Sequence, residues 1–289
     1  MSNALAELLV LLDLEQLEDN LFRGVSPDEQ RQRVFGGQVA GQALIAAGRT
    51  VDPDRSVHSL HAYFLRPGDP NVPIIYNVDK IRDGRSFTTR RVVAIQHGRA
   101  IFNLAASFQI HEDGPEHQYE MPDTPHPDTL PTFLEHITPF RDRFSDEIWE
   151  WFSRERPILT RSCEAPRWID PSPRPAEQHV WFKSNGSLPD DPLLHVCVVA
   201  YASDLTLLDT AVMPHQISYT DESFQVASLD HAMWFHRTLR ADDWLLYHQR
   251  SPSAQHARGI AEGFIYASDG RLCVTVIQEG LMRPVGKQT

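Results

Sequence analysis

Two stretches of the chain, one on each side of a proline-rich middle, repeat the same order of features, and a duplication of this kind restricts the fold more than any other property of the sequence. In the first, HAYFLRP (61–67) leads to RSFTTRRVV (85–93) and then to HGRAIFNLAASF (97–108). In the second, AMWFHRT (232–238) leads to SAQHARGI (253–260) and then to SDGRLCVTVIQE (268–279). Phe64 to Gly98 is 34 positions and Phe235 to Gly270 is 35, so the two halves keep step. Between them Pro115, Pro122, Pro125, Pro127 and Pro131, then Pro157, Pro166, Pro171, Pro173 and Pro175, each fix φ and remove a backbone donor, which predicts connections rather than strands. FLEHITPFRDRFSDEIWEWF (133–152) reads as a short amphipathic helix on the surface. The organisation expected is one unit over 1–111, a linker over 112–176 and a second unit over 177–289. Each unit is long enough to bury its own core.

Each half carries one helix ahead of its strands. GGQVAGQALIAAGRTV (36–51) puts Val39, Ala43, Ala46 and Ala47 on one face, with Gly37 and Gly41 for close approach to a sheet. ASDLTLLDTAVM (202–213) reads as the second helix, opened by the cap chemistry of Ser203-Asp204. A capping Asp204 would sit at the positive end of the helix dipole, which favours the ionised carboxylate. Strands are expected over 57–65, 72–82, 85–96 and 99–110, and again over 224–236, 243–251, 254–267 and 271–283. QHGR and SDGR supply glycine-bearing turns between antiparallel strands. An apolar helix followed by an antiparallel meander, twice over, is an α+β architecture in which each sheet wraps a central helix.

The formal net charge of −12 would repel a phosphate backbone, so nucleic acid is not an expected partner. No apolar run approaches the roughly 20 residues of a membrane helix, and the N-terminal segment, with Glu7 before its apolar stretch and Asp13, Glu15 and Glu18 after it, reads as an amphipathic helix. Solubility and a cytoplasmic location are the expectation, the closing VGKQT not being a peroxisomal address. Cys163, Cys197 and Cys273 are too few and too scattered for a disulfide framework or a CxxC metal site, and no metal is expected. GxSxG, HExxH, Walker A and GxGxxG are all absent, and GGQVAG mimics a glycine-rich loop only faintly. DDPLLH (190–195) is similar to the Asp/His motif of hot-dog enoyl-CoA hydratases, but Val196 follows where that motif continues with Asp-Pro.

The longer motifs RQRVFGGQVAGQAL (31–44), VHSLHAYFLRPGDPNVPIIY (57–76), RDGRSF (82–87), VAYASDL (199–205), DHAMWFHR (230–237), DDWLLY (242–247) and QEGLMR (278–283) together resemble the type II acyl-CoA thioesterases, the TesB family. The resemblance runs from about residue 5 to residue 284. It implies two tandem hot-dog domains and hydrolysis of acyl-CoA thioesters to free acid and coenzyme A. The family's catalytic Asp, Thr or Ser, and Gln map onto Asp204, Ser228 and Gln278, and His58 falls where the family has a histidine near the site. A thioester needs an oriented water and a place for the developing oxyanion, without a covalent nucleophile. The expected roles are therefore Asp204 as general base and Ser228 and Gln278 as the groups that aim the water.

Coenzyme A enters as part of the substrate, so no separate cofactor is expected. Its phosphates are expected to meet arginines such as Arg66, Arg85, Arg91, Arg237 or Arg258. DHAMWFHR itself reads as a core strand, with His231 and His236 structural and Asp230 without an assigned role. A homo-oligomer, a dimer or tetramer of double hot-dog subunits, is the expected assembly. Hydration of enoyl-CoA through Asp190 and His195, and non-catalytic binding of acyl-CoA, are the alternatives that the sequence leaves open.

Overall fold

The structure is a computed structural model that describes residues 1–27, 32–165, 172–215 and 224–285. Pro166 and Pro171 of the second proline cluster, and the chain after Val285, lie outside these residues. The first half runs α1 (Asn3–Leu12), β1 (Glu15–Glu18), β2 (Leu21–Gly24), α2 (Gly36–Gly48), β3 (Arg55–Phe64), β4 (Ile74–Asp83), β5 (Phe87–Gln96) and β6 (Arg99–Ile110). The middle holds α3 (Phe133–Ile137), α4 (Asp146–Ser153) and β7 (Ile158–Ser162). The second half runs β8 (Glu177–Ser184), α5 (Pro192–Ser203), α6 (Asp209–Val212), β9 (Phe224–Ser228), β10 (Asp230–Phe235), β11 (Leu245–Gln255), β12 (Arg258–Ala267) and β13 (Leu272–Pro284).

The duplication is written into the sheet. Its order is β1-β2-β4-β5-β6-β3-β10-β13-β12-β11-β8-β7, with β9 also on β13, and every pairing is antiparallel. The succession β2-α2-β3-β4-β5-β6 thus matches β8-α5-β10-β11-β12-β13, mirrored about the β3–β10 seam, where Leu60 faces Met233. This is the α+β double hot-dog arrangement, one continuous antiparallel sheet whose two halves each surround one long central helix.

The second central helix is not where its leucines predicted. It spans Pro192–Ser203, with Asp191 accepting from the Leu193 and Leu194 N–H groups and Pro192 in the first turn. Asp-Pro ahead of an apolar run is a strong helix start, because the proline's missing N–H is one the helix could not use. The segment 202–213 is instead the end of that helix, a turn, and the short α6. α5 lacks an amphipathic period because it is buried nearly all round, with Cys197, Val198, Val199 and Ala200 fully enclosed.

α2 and α5 lie against each other. Gly37 and Gly41 permit this contact, rather than an approach to the sheet. A Cβ on Gly37 would stand 2.4 Å from the Tyr201 carbonyl oxygen, and one on Gly41 3.2 Å from that of Cys197.

Three strand expectations also shift. The strand expected over 224–236 breaks at Leu229 into β9 and β10. β11 runs through Pro252 as far as Gln255, because the proline falls where the register against β12 slips between Arg250 and Ser253. In the middle segment β7 pairs with β8, and the single helix expected over 133–152 is α3 and α4 separated by a 3-10 turn containing Pro139. This segment covers the outer face of the second half-sheet. Met121, Leu130 and Cys163 pack on Trp181, Leu246, Phe264, Tyr266 and Leu272, and the Trp181 indole N–H donates to the Pro125 carbonyl at 3.1 Å.

The β5–β6 turn uses His97 and Gly98 at φ 49° and 69°, as a two-residue hairpin requires. The β11–β12 turn places His256 and Ala257 at φ 53° and 58°, a region costly for residues with a Cβ. Ala257→Gly is expected to raise stability by about 0.5–1 kcal/mol, the relieved strain exceeding the added freedom of the unfolded chain. Urea unfolding measures it, and a loss of stability would contradict the turn conformation.

Candidate active site

Asp204 ends α5 as its C-cap, with φ −87° and ψ 0°, so its carboxylate stands at the negative pole of its own helix, not at a positive one as a capping N-terminal residue would. Compensation comes from the other half of the molecule. The first turn of α2 points at the carboxylate, which accepts from the Gly37 N–H. Phe35, which precedes that turn, meets the Tyr201 ring edge-on at 5.1 Å. Gly36 has no room for a side chain, since a Cβ there would fall 2.7 Å from Asp204 Oδ2 and 2.8 Å from the Phe64 ring.

Two further strands close the site. Gln278 on β13 is fully buried, and its Nε2 donates to Asp204 Oδ1 at 2.6 Å and to Ser228 Oγ at 3.0 Å. Ser228, at the end of β9, faces Gly280 across the ladder, and its hydroxyl donates to Asp204 Oδ1 at 3.4 Å. The carboxylate needs donors, which fixes the Gln278 amide with its nitrogen toward Asp204. Gln278 Oε1 is then a buried acceptor without a partner among the described residues.

Burial pushes the Asp204 carboxyl up to about 6, against the opposing pull of Gln278, the Gly37 N–H, Ser228 and the Arg33 charge. The acid is therefore a carboxylate at pH 7 that still has appreciable affinity for a proton. Its backbone is held from behind. Ser203 Oγ lies 2.8 Å from His231 Nε2, and the Tyr247 hydroxyl donates to the Ser203 carbonyl at 3.2 Å, capping the end of α5. Gln178 and Gln249 donate to Thr206 at 3.0 and 2.7 Å and pin the turn that follows. His231 is fully enclosed and pushed down to about 4 by burial, so it serves as a neutral strut.

The second repeat supplies all three polar side chains, and the first supplies the Gly36–Gly37 turn and the Phe64 ring beside the carboxylate. Two family models match the chain: "Acyl-CoA thioesterase N-terminal domain" over residues 26–109 and "Acyl-CoA thioesterase" over residues 161–281. Acyl-CoA thioesterase 2 of Haemophilus influenzae is 41% identical over 98% of this chain and 99% of its own length. The chain belongs to the acyl-CoA thioesterase family. Acyl-coenzyme A thioesterase 8 of Mus musculus is 41% identical over 94% of this chain and 88% of its own. Among solved structures, the acyl-CoA thioesterase II TesB2 of Mycobacterium marinum superposes with a TM-score of 0.79 at 47% identity, covering 96% of this chain and 99% of that one. The tesB protein of Mycobacterium avium subs paratuberculosis superposes at 0.81, with 31% identity, over 98% and 100%.

In this thioesterase the three residues Asp204, Ser228 and Gln278 converge, and the other candidates divide. His58 bonds to Ser107 Oγ at 2.8 Å, and six residues of β3 set it roughly 20 Å from the Phe64 level of the sheet. Arg85 sits in the exposed β4–β5 turn, roughly 30 Å along β5 from the Phe64 level. Arg91 pairs with Asp79 at 2.9 Å, Arg258 with Glu279 at 2.8 Å, and Arg237 with the Leu272 carbonyl and Glu116 at 3.0 and 3.3 Å. Arg66, two residues past Phe64, lines a cleft of about 290 Å³ together with His97 and Arg99.

The residues behind the hydratase-like motif are helix-start residues here. Asp190 pairs with Arg240 at the surface, Asp191 caps α5, and His195 accepts the Ala241 N–H on Nδ1 at 3.0 Å. Asp230 accepts the Glu279 N–H at 2.6 Å and braces the β9–β10 break. The sequence alone assigns no site role to Arg33, Gly36, Gly37 or Phe64. The glycine pair GG ahead of an apolar helix was their one visible signal.

Proposed function

We propose that Asp204 is the general base that activates water against an acyl-CoA thioester, with Gln278 and Ser228 fixing that water. Hydrolysis of acyl-CoA to free acid and coenzyme A is the activity of the family, and this chain is a thioester hydrolase. A water hydrogen-bonded to Asp204 and to Gln278 Oε1 gives one proton to the carboxylate while its oxygen bonds to the carbonyl carbon. The tetrahedral oxyanion collapses, the C–S bond breaks, and the proton held by Asp204 passes to the departing thiolate. The first turn of α2, whose N–H groups cannot all bond within the helix, supports the oxyanion.

The observation that carries this reading is the buried Gln278 amide, which donates to Asp204 and Ser228 and leaves its carbonyl oxygen beside the base as an acceptor with no partner among the described residues. A carboxylate surrounded only for structural reasons would not need that acceptor.

The division that accompanies it is one hot-dog unit over 1–111 and one over 177–289, joined by 112–176. Cytoplasmic residence, assembly as a dimer or tetramer, and the absence of any cofactor beyond substrate CoA belong to the same reading. Among the described residues no helix is long and apolar enough to cross a membrane. Arg66 and Arg99 are the arginines we assign to the CoA phosphates, being near Phe64 and lining one cleft.

A pH profile of thiol release tests the base. kcat/KM is expected to rise about tenfold per unit below pH 6 and to level off above it, as Asp204 becomes ionised. Because the Gln278 hydrogen bond holds the Asp204 pKa down, Gln278→Ala should move this limb to higher pH as well as lower the plateau. A limb that stays in place in Gln278→Ala would separate the two residues and end the proposal.

A further inference from the structure

On the face of the second half-sheet turned away from Asp204, the β8–β11 register sets His179 directly opposite His248, and Glu177 lies two residues before His179, hence on the same side. Their alternating neighbours Gln178 and Gln249 point inward to Thr206, which confirms the sidedness. The two imidazoles stack, with centroids 4.7 Å apart and planes 9° from parallel. His248 Nε2 is 2.7 Å from Glu177 Oε1, and His179 Nδ1 is 2.8 Å from Glu164 Oε1. One ligand atom from each of Glu177, His179 and His248 lies within 4.8 Å of the others.

The donor set is what makes this group unusual. Two imidazoles and a carboxylate from paired strands face one another, and a second carboxylate stands behind one of the rings. Nitrogen and oxygen donors so gathered suit a first-row divalent cation. The nearest cation, Arg250, lies opposite Glu177 in the ladder, and its Nε bonds to Glu262 at 2.5 Å.

We infer that Glu177, His179 and His248 form a binding site for a first-row divalent cation, with Zn²⁺ the best match to two imidazoles and one carboxylate. Glu164 then has the place commonly taken by the carboxylate behind a metal-bound histidine: engaging Nδ1, it fixes the tautomer that offers Nε2 to the ion. It is fixed there itself by the His179 backbone N–H at 2.9 Å. The ligand atoms must close to roughly 3.3 Å from one another around a tetrahedral ion. Rings 9° from parallel cannot both hold one ion in their planes, so the His248 ring must turn out of the stack, and Glu177, with its side chain 51% exposed, has the freedom to follow it and leave a fourth position to water. The ion would join β8 to β11 and, through Glu164, secure the segment after β7. Sequence spacing could not display this set, because strand pairing alone brings 177 and 179 to 248.

Tag-free protein stripped with chelator should be titrated with Zn²⁺ by calorimetry and with Co²⁺ by visible absorption. One saturable equivalent per chain is expected. His248→Gln and Glu177→Gln, both changes at the more open side of the cluster, should each weaken Zn²⁺ binding at least tenfold. Glu164→Gln should weaken it about 10–100-fold while the Co²⁺ spectrum keeps its form. Circular dichroism on each variant separates lost binding from lost folding. Absence of saturable binding to the wild-type chain, or binding unchanged in a folded His248→Gln, Glu177→Gln double variant, would overturn the site.

Discussion

Asp204→Asn is expected to lower kcat for acyl-CoA hydrolysis by about 10²–10⁴-fold, with KM little changed. The amide oxygen still accepts from Gln278 and Ser228, so the site keeps its shape, but nothing remains to take the proton from water. That loss corresponds to roughly 3–5 kcal/mol of transition-state stabilisation. The same substitution has a second signature in stability. The folded carboxyl titrates near 6 because of burial, above the 3.8 of an unperturbed Asp. The native state therefore binds the proton more tightly than the unfolded chain. The stability this contributes is complete below pH 4 and is lost as the pH rises through 6. The arithmetic is about two pKa units, or up to about 3 kcal/mol. Asn does not titrate, so the unfolding free energy of wild type minus variant should fall by that amount between pH 4 and 7. Parallel stability curves would show an Asp204 that costs nothing to ionise, and near-normal turnover would remove it as the base.

What the chain disclosed of this arrangement, and what it withheld, follows from the kind of information that spacing carries. The duplication, the meander of strands and the first central helix were legible, because apolar periodicity and turn residues are local properties. The second helix was misplaced because its own residues are nearly all apolar, so no period marked its faces, while the leucines of 205–208 gave a false one. Its real start, Asp191-Pro192, is visible as cap chemistry, but the likeness of DDPLLH to a hydratase motif, incomplete at Val196, draws attention from it. Asp204, Ser228 and Gln278 came from resemblance, since they lie on three elements that only sheet pairing and helix contact bring together. Their physical setting was inverted by the helix error. A carboxylate imagined at a positive helix pole, easily ionised, stands at a negative one and is raised to about 6 instead. Gly37 and Gly41 signal close packing, which the sequence alone directs at a sheet, but packing against the other helix, and hence the reach of Gly37 to Asp204, depends on a contact between repeats that no single repeat contains.

Gly37→Ala should cost about 1–3 kcal/mol of stability and lower kcat by about 10–100-fold. Helix propensity alone gives the opposite sign, since alanine exceeds glycine by about 1 kcal/mol within a helix. The contact decides the matter. The added methyl would stand 2.4 Å from the Tyr201 carbonyl oxygen and 2.6 Å from the Phe35 ring. A backbone oxygen inside α5 cannot turn aside as a side chain can, so α2 and α5 must separate. Separation moves the Gly37 N–H off the Asp204 carboxylate, which couples the packing defect to the chemistry. Gly41→Ala is the matched control. Its methyl would meet the Cys197 carbonyl oxygen and a Leu12 side chain at 3.2 Å, distances that a small adjustment accommodates, and it lies one helical turn farther from the carboxylate. Thermal unfolding and thiol release on both variants should therefore rank Gly37→Ala well below Gly41→Ala in each assay. If Gly37→Ala matched wild type in melting temperature and turnover, the two central helices could not be in backbone contact, and the first repeat would have no hold on the acid of the second.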